Sequence, residues 1–522
     1  MSFKKQQPYQ PDMFKVPLLP SRSEKFLYDP KASHNLFYHN VYCKIPEEIF
    51  RPLYCEGNGR PGASPRLLCA MRVYKEGGGY SDQDMFEALR FDILVRKSMG
   101  LMSLEDKVPT ESTYYKFFAA ICEYKEKTGI DLYEQACKHV TREQIKEYNI
   151  SGRRVRMDST LIGCNIAHYS RYRIVHTTLV KAVKMSGDDV SAVFSASVAS
   201  QLKFVLGENA EHTCYELNAA DMRVRFLELG RLVQQVLAEA KVAGLAGFGL
   251  LERVFGEQYR INAETGELEA IPSKEISARS VQTPNDPEAT YRNKNGEDVR
   301  GFTHNATETC DDEDKATTAS GKVIQKPKLI VDVEVEPAST PDTQLFEGGV
   351  KGSKEVTGQK PESVTSDGGY QSADNQEFCK GEGIEAVFTG FQGKKGAYEL
   401  ELSDDGKSLE ATKISTGEKL PTSQTESGSW RIEDVRDGKK HVRYVKPESV
   451  VAAMRRKAQE AIPKAKRWLR NNVEAAMFQL TFHTRNNKTR YRGLMKQKIF
   501  ALSRCLWVNH VRLALFEVRM AN

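Results

Sequence analysis

Three acidic residues, far apart in the chain, have surroundings that could bring them together. Asp158 ends the alternating run that starts at Arg153, a pattern typical of a strand, and Asp367 follows a second short strand pattern. Glu474 lies alone among many Lys and Arg residues in a helical pattern. An acid within a strand, one at a strand end and one on a neighbouring helix can meet at one edge of a sheet. Such a set suits phosphodiester transfer, because carboxylates hold Mg²⁺ and two ions can stabilise the attacking and leaving oxygens.

Each of these acids also has a simpler explanation. Asp158 could be a surface carboxylate on a strand, and Asp367 could form the turn before Gly368. Glu474 could be one of many exposed helix acids. The residue types alone leave both interpretations open.

Other possible ligands carry less weight. Asp332, Glu334 and Glu336 alternate along a strand pattern, and a solvated strand face is a better interpretation than a second metal site. Four histidines have no Cys or His at a convincing ligand spacing, and we expect them to be packed or at the surface. They are His168, His176, His304 and His483. The chain has no Gly-x-x-x-x-Gly-Lys-Ser/Thr loop, so an ATP-dependent motor is not expected.

Charge is unevenly distributed along the 522 residues. The net charge is +6, but residues 451–522 hold 16 Lys or Arg against 3 acids, which leaves −7 for the rest. Such a basic block is typical of a surface that binds a polyanion, although a solvated helix face is the alternative. The bases predicted to contact DNA phosphate are Arg467, Arg470, Arg485, Arg490 and Arg492. The aromatic residues of the block, expected in helix cores, are Trp468, Phe478, Tyr491 and Trp507, of which Trp468 or Tyr491 could instead stack on an unpaired base.

The length predicts about three domains. The pattern divides the chain into an irregular N-terminal arm (1–58), a helical domain (59–150) and an α/β region (151–390) with a helical insertion at about 180–280. A β-rich insertion (391–447) and basic C-terminal helices (448–522) follow. The helical domain could bind DNA or could be a packing domain without a ligand. No apolar run reaches the ~18 residues of a membrane span, and the scattered cysteines are typical of free thiols in a reducing cytoplasm.

The segments around the three acids resemble bacterial insertion-sequence transposases of the DDE superfamily. The segments that carry the resemblance are Arg156–Thr160, Asp286–Thr290, Val331–Val335, Ser366–Tyr370 and Asn471–Leu480. The helical stretch Gly59–Phe118 resembles the N-terminal domain of the same transposases, so that the resemblance spans roughly residues 55–515.

The resemblance implies a catalytic domain with the ribonuclease-H-like fold, an α/β mixed sheet flanked by helices, joined to an N-terminal all-helical domain. It implies that Asp158, Asp367 and Glu474 share two Mg²⁺ ions, with Mn²⁺ as a substitute. Arg470 matches a basic residue that the family often places one turn before the Glu. Two positions depart from the family pattern: Arg467 replaces a frequent Tyr, and Thr481 replaces a frequent Lys. Arg485 or Lys488 could supply the missing phosphate contact.

The function implied is that of a DNA transposase. It would bind the terminal inverted repeats of its element in double-stranded DNA, cleave to free 3′-hydroxyls and join them to target DNA. A homodimer in the synaptic complex and a cytoplasmic, nucleoid-associated location are expected. The alternatives are a domesticated, catalytically silent DNA-binding protein and a nuclease of the same fold.

Overall fold

The computed structural model describes residues 21–55, 62–103, 105–167, 169–187, 189–294, 296–390, 396–403, 406–436, 439–464 and 473–521. It is a mixed α/β structure with an N-terminal helical region and a mixed central sheet.

The helices are named in chain order over the described residues. They are α1 Ser21–Tyr28, α2 Ser33–Asn40, α3 Pro65–Gly78, α4 Asp82–Phe91, α5 Ile93–Ser98, α6 Glu111–Thr128, α7 Leu132–Glu147, α8 Arg171–Ser186, α9 Val190–Val193, α10 Ala196–Gly207, α11 Ala210–Glu216, α12 Ala219–Val242, α13 Gly249–Gln258, α14 Phe346–Thr357, α15 Ala373–Glu382, α16 Pro447–Glu460, α17 Val473–Thr481 and α18 Leu494–Met520.

The strands are named in the same way. They are β1 Arg154–Cys164, β2 Tyr259–Ile261, β3 Leu268–Ala270, β4 Thr290–Lys294, β5 Glu297–Thr309, β6 Lys315–Thr317, β7 Val323–Gln325, β8 Ile330–Pro337, β9 Ser363–Ser366, β10 Glu385–Phe388, β11 Tyr398–Leu402, β12 Leu409–Lys413, β13 Lys419–Leu420, β14 Thr422–Gln424, β15 Trp430–Arg436, β16 Lys439–Val445 and β17 Lys488–Thr489.

The N-terminal helices begin where the sequence signals predict. Ser64 caps α3 by accepting a hydrogen bond from the Leu67 amide at 3.3 Å, with proline at the first helical position. Gly79 ends α3 in the left-handed conformation, at φ 72°. Ser81 and Asp84 form a reciprocal capping box at the start of α4. The predicted helices of this region are therefore confirmed.

The prediction of an irregular arm is wrong for residues 21–55. This stretch forms α1, α2 and two 3₁₀ turns, and Phe37, Val41 and Phe50 are fully buried in the largest hydrophobic cluster. Phe37 packs against Trp507 of α18, with ring centroids 5.9 Å apart. These elements are short and their residues follow no clear helical period. Packing against distant parts of the chain therefore stabilises them more than local sequence preferences do.

Seven of the described strands form the central sheet. The order β10–β9–β1–β5–β4 places β1 in the middle, while β8 also pairs with β5 and β17 pairs with β1. Strands β9 and β17 pair with β1 in parallel, and β10 pairs with β9 in parallel. Strand β5 is antiparallel to β1, β4 and β8. The strand predictions at Asp158, 300–309, 329–335 and 363–366 are confirmed.

Two insertions interrupt the α/β region. The helical one, α8 to α13, has its own hydrophobic cluster. Helix α12 ends at Val242, and Gly244 and Gly247 adopt φ values of 65° and 92° between α12 and α13. The β-rich insertion is confirmed as two three-stranded sheets, β11–β12–β13 and β14–β15–β16.

Helix α18 runs through the centre of the molecule. By length and composition it could cross a membrane, but 72% of its apolar window is buried against the rest of the protein. It packs on α3, α7 and β8. This burial is what the central helix of a folded core shows.

Candidate active site

Asp158 lies on β1, and Asp367 is the first residue beyond the neighbouring strand β9. The parallel pairing of β1 with β9 matches Arg156 to Thr365, and each acid follows two residues later along its chain. Asp367 caps the 3₁₀ turn Gly368–Tyr370, and the charges of both Asp158 and Asp367 act on Tyr370. The structure therefore brings two of the three predicted acids together. Asp158 is 8% exposed, and Asp367 is half-buried.

Helix α17, which carries Glu474 in its first turn, packs on the face of β1 that bears Asp158. Ala306, the β5 residue opposite Asp158, belongs to the same hydrophobic cluster as Ala476, Met477 and Leu480 of α17. Residues opposite each other in a ladder point to the same side of a sheet. Glu474 itself is exposed. All three predicted acids thus lie on elements that meet at one face of β1.

The turn after β9 is built tightly around Asp367. Its Oδ1 accepts a hydrogen bond from the Gly369 amide at 2.8 Å. The neighbouring Asp342 carboxylate is buried and held by both terminal nitrogens of Arg292, at 3.0 and 3.2 Å. A side chain at Gly369 would place its Cβ 2.9 Å from Asp367 Oδ1 and 3.1 Å from Asp342 Oδ2. No local sequence signal links Asp342 to its distant partner Arg292.

Tyr370 lies near Asp158, Asp342 and Asp367, whose charges all affect its hydroxyl. Its hydroxyl donates a hydrogen bond to Asn305 Oδ1 at 2.6 Å. Burial raises the pKa of Tyr370 far above its ordinary value, and the charges of Asp342, Asp158 and Asp367 raise that pKa further. The phenol therefore stays protonated beside three carboxylates.

A buried ion network connects β1 with α17. Arg156, two residues before Asp158, donates to Glu308 Oε1 of β5 at 2.5 Å. The other oxygen of Glu308 accepts from Arg512 of α18 at 2.6 Å, and Arg512 donates to Gln479 Oε1 of α17 at 2.8 Å. Glu308 is 1% exposed. Side chains from four elements thus fix the helix of Glu474 relative to the strand of Asp158.

The acids do not form a ready-made metal cage. Across the described part of the chain, no three His, Cys, Asp or Glu side chains are placed so that they could hold a metal ion. The grouped acids are the pair Asp158 and Asp367. The prediction that Asp332 lies on a solvated strand face is wrong: this side chain is 8% exposed, because α14 packs over that face of β8.

The exposed bases of the C-terminal block cluster on one short segment. Asn486 and Asn487, at φ 54° and 51°, form a tight turn between Arg485 and Lys488, and β17 then pairs with the end of β1. Arg485, Lys488, Arg490 and Arg492 are all exposed and make no ion pair with the residues that the structure describes.

Further bases lie beside this segment. Lys488 lines an open cleft of about 780 Å³ together with the β1 residues just after Asp158, and the lining holds Lys294 and Arg300 as further bases against the acids Glu297 and Asp298. Burial and the nearby charge of Arg492 lower the pKa of Lys181. The segment 485–492 is thus part of a positive surface beside the end of β1.

Other bases of the block are structural. Arg504 is 2% exposed and donates to main-chain carbonyls of α3 and α17, and burial lowers its pKa to about 10. Lys498 binds Glu134, and Lys457 lies 3.0 Å from Glu399. Arg467, Arg470 and Trp468 lie outside the described residues. The surplus of +13 is therefore only in part available to a polyanion.

The aromatic residues of the block divide in the same way. Trp507 packs in the core, and the Tyr491 hydroxyl donates to Glu76 Oε1 at 2.5 Å while Arg72 covers its ring at 4.4 Å. Tyr491 is thus not placed to stack on a base. The prediction that Phe478 is a core residue is wrong: it is 64% exposed beside Phe482, because α17 buries only its opposite face.

The described histidines are packed in the fold or lie at its surface. His176 and His304 are buried, and burial lowers the pKa of His304 to about 3. His483 is exposed in a turn, at φ 72°. His168 lies outside the described residues.

Comparison with known proteins gives one family match. Residues 29–120 match the family model of a transposase domain (DUF772), which spans α2 to most of α6. The match includes the stretch after Asp29 that sequence patterns did not recognise as structured. No curated protein matches the chain. The family match supports a transposase.

Proposed function

We propose that this protein is a DDE transposase, which binds the terminal inverted repeats of its element and performs metal-dependent DNA cleavage and strand transfer. The observation that carries the proposal is the position of Asp158 on β1 and of Asp367 directly after the neighbouring strand β9, with the helix of Glu474 in contact with β1. The match of residues 29–120 to a transposase domain supports the same class from an independent part of the chain. We propose that the mixed sheet with its flanking helices is ribonuclease-H-like.

The donor set fits Mg²⁺ or Mn²⁺, because it consists of carboxylate oxygens without soft ligands. Asp158 and Asp367 would hold two ions between them, and Glu474 would complete the set from α17. When bound, such ions activate the attacking water or 3′-hydroxyl and stabilise the leaving oxygen.

The chain's own residues contribute position and charge. Arg292 forms an ion pair with Asp342 and holds that carboxylate beside the turn of Asp367. The Arg156–Glu308–Arg512 network fixes α17 against β1. Arg485, Lys488, Arg490 and Arg492 face solvent beside the end of β1, where they can contact the phosphates of double-stranded DNA. A homodimer that pairs two transposon ends, acting at the bacterial nucleoid, belongs to the same proposal.

The experiment compares cleavage and binding by the same variants. Asp158→Asn, Asp367→Asn and Glu474→Gln should each lower Mg²⁺-dependent cleavage of end DNA by at least about 10³-fold, since metal-assisted charge stabilisation is worth several kcal/mol. End binding should remain within a few-fold of wild type. Glu362→Gln, an exposed acid just before β9, is the matched control and should retain full activity.

Two results would identify the alternatives. A wild-type chain that binds end DNA but never cleaves it with Mg²⁺ or Mn²⁺ is a silent DNA-binding protein. A preference for hybrid RNA–DNA over element ends would identify a nuclease of the same fold. Full cleavage by any triad variant removes that residue from the site.

A further inference from the structure

A second group of carboxylates lies on the opposite face of the sheet from Asp158. Asp332 of β8 is paired with Thr307, which in turn is opposite Met157, the neighbour of Asp158. Successive residues of a strand point to opposite faces, so Asp332 and Asp158 point away from each other. Asp332 and Glu334 line an open cavity of about 290 Å³ between β8, α7, α14 and α18.

Both carboxylates are poorly compensated by the described residues. Asp332 is 8% exposed, and its completely buried Oδ2 has no hydrogen-bond partner in the part of the chain that the structure describes. Within the described ranges, neither Asp332 nor Glu334 forms an ion pair. A buried carboxylate without a partner is costly, so this arrangement calls for a positive ligand or a proton.

The nearby lysines are engaged elsewhere. Lys138 binds Glu134 at 3.2 Å and Glu355 at 2.8 Å, while Lys498 binds Glu134. The cavity lining contains five carboxylates and three ammonium groups, a net charge of −2 when all are ionised. The surplus negative charge belongs to the strand carboxylates.

Helix α14 is shaped to admit these carboxylates. Gly348 and Gly352 lie one turn apart and face β8. A Cβ at Gly348 would collide with the carboxylate of Glu334, and a Cβ at Gly352 would collide with that of Asp332. Glycine at both positions therefore makes the space in which the two carboxylates sit.

We propose that Asp332 and Glu334 bind one divalent, oxygen-preferring metal cation (Mg²⁺, Mn²⁺ or Ca²⁺) in this cavity, separate from the site of Asp158 and Asp367. Mg²⁺ is commonly held by one or two carboxylates and keeps several waters, so two strand carboxylates suffice. At about 30 Å³ per water, the cavity has room for the ion and its remaining water ligands. Both proposed ligands lie on β8, and the ion is required by no step of DNA cleavage.

The competing explanation is protonation of the same groups. Burial and the charges of neighbouring carboxylates raise the pKa of Asp332 well above its ordinary range and that of Glu334 to about 7. At pH 8 Glu334 is ionised and available to a cation, so the test is made there.

The experiment uses the full chain with Asp158→Asn, Asp367→Asn and Glu474→Gln, so that the candidate active site does not contribute. This protein is titrated with Mn²⁺ at pH 8, and binding is measured by calorimetry and by the electron paramagnetic resonance signal of free Mn²⁺. Both methods should show one ion bound per chain. Adding Asp332→Asn and Glu334→Gln should weaken binding at least ten-fold. Mn²⁺ should raise the Tm of the triple variant, but it should not raise the Tm of the protein that also carries Asp332→Asn and Glu334→Gln.

The matched control is Glu399→Gln with Glu401→Gln, which also removes two carboxylates two residues apart on one strand. These acids are exposed and both contact Lys457, so Mn²⁺ binding should be unchanged. The single change Glu334→Gln, at a half-buried position, tests the site if the double variant does not fold. Absence of Mn²⁺ binding to the triple variant, or equal binding after either change at the site, overturns the proposal.

Discussion

At the residue scale, the turn at Asp367 leaves no room for a side chain at Gly369. In Gly369→Ala the new Cβ would lie 2.9 Å from Asp367 Oδ1, so the carboxylate must move. A misplacement of about 1 Å at a reacting centre costs roughly 10²-fold in rate, and relieving this contact needs a smaller shift, so we expect a loss below roughly 10²-fold in single-turnover cleavage of end DNA. Gly381→Ala, with open space around its Cβ on α15, should keep its activity. Equal activity of the two variants would show that the turn does not position Asp367.

Glu334 should make stability depend on pH in a specific direction. Its pKa is raised from 4.5 in the ordinary state to about 7 in the fold, first by burial and then by Glu336. The unfolded chain therefore releases this proton earlier, so the folded state loses stability as pH rises from about 4.5 to 7 and is constant above that range. In the presence of a chelator, Glu334→Gln should gain Tm relative to wild type over this interval. A Tm difference that does not change with pH would contradict the raised pKa.

At the element scale, the Arg156–Glu308–Arg512 network should be essential for joining α17 and α18 to the sheet. Glu308→Gln leaves two arginines next to a neutral amide, and breaking a buried charge pair costs about 3–5 kcal/mol. Urea unfolding should show that loss. Glu313→Gln is the control, because Glu313 is 63% exposed in its ion pairs with Arg153 and Arg154 and should cost under about 1 kcal/mol. Similar costs for both changes would mean that the network is not needed for packing.

Elements were more predictable than the contacts between them. The strand at Asp158, the turn after Asp367 and the capping box of α4 follow from local signals, since periodicity and cap residues act over a few positions. The partnership of Arg292 with Asp342, and the burial of Asp332 under α14, join residues distant in sequence. No local pattern encodes such pairs. The same holds for residues 33–53, which are ordered by packing on α18 and look irregular in the sequence.

At the scale of the whole molecule, the fold divides the basic C-terminal block into two populations. Arg504, Arg512 and Lys498 are used inside the protein, whereas Arg485 to Arg492 remain at the surface. A count of charges along the sequence cannot make this distinction, because it depends on which helix face meets the core. The expected number of phosphate contacts is therefore smaller than the surplus of +13 indicates.

The exposed population makes a quantitative prediction about salt. Removing both Arg490 and Arg492 should weaken binding to end DNA and to random duplex alike, since phosphate contacts carry no sequence information. The plot of log affinity against log salt should flatten by about 0.9 for each lost contact, so by close to two units for the pair. The control removes the same charge elsewhere: Lys419→Ala with Lys457→Ala takes away two lysines that are paired with carboxylates on the β-rich insertion. That variant should keep the wild-type slope. If the arginine pair keeps it as well, the segment 485–492 is not the phosphate-binding surface. If both variants lose slope equally, net charge rather than this segment governs the salt dependence.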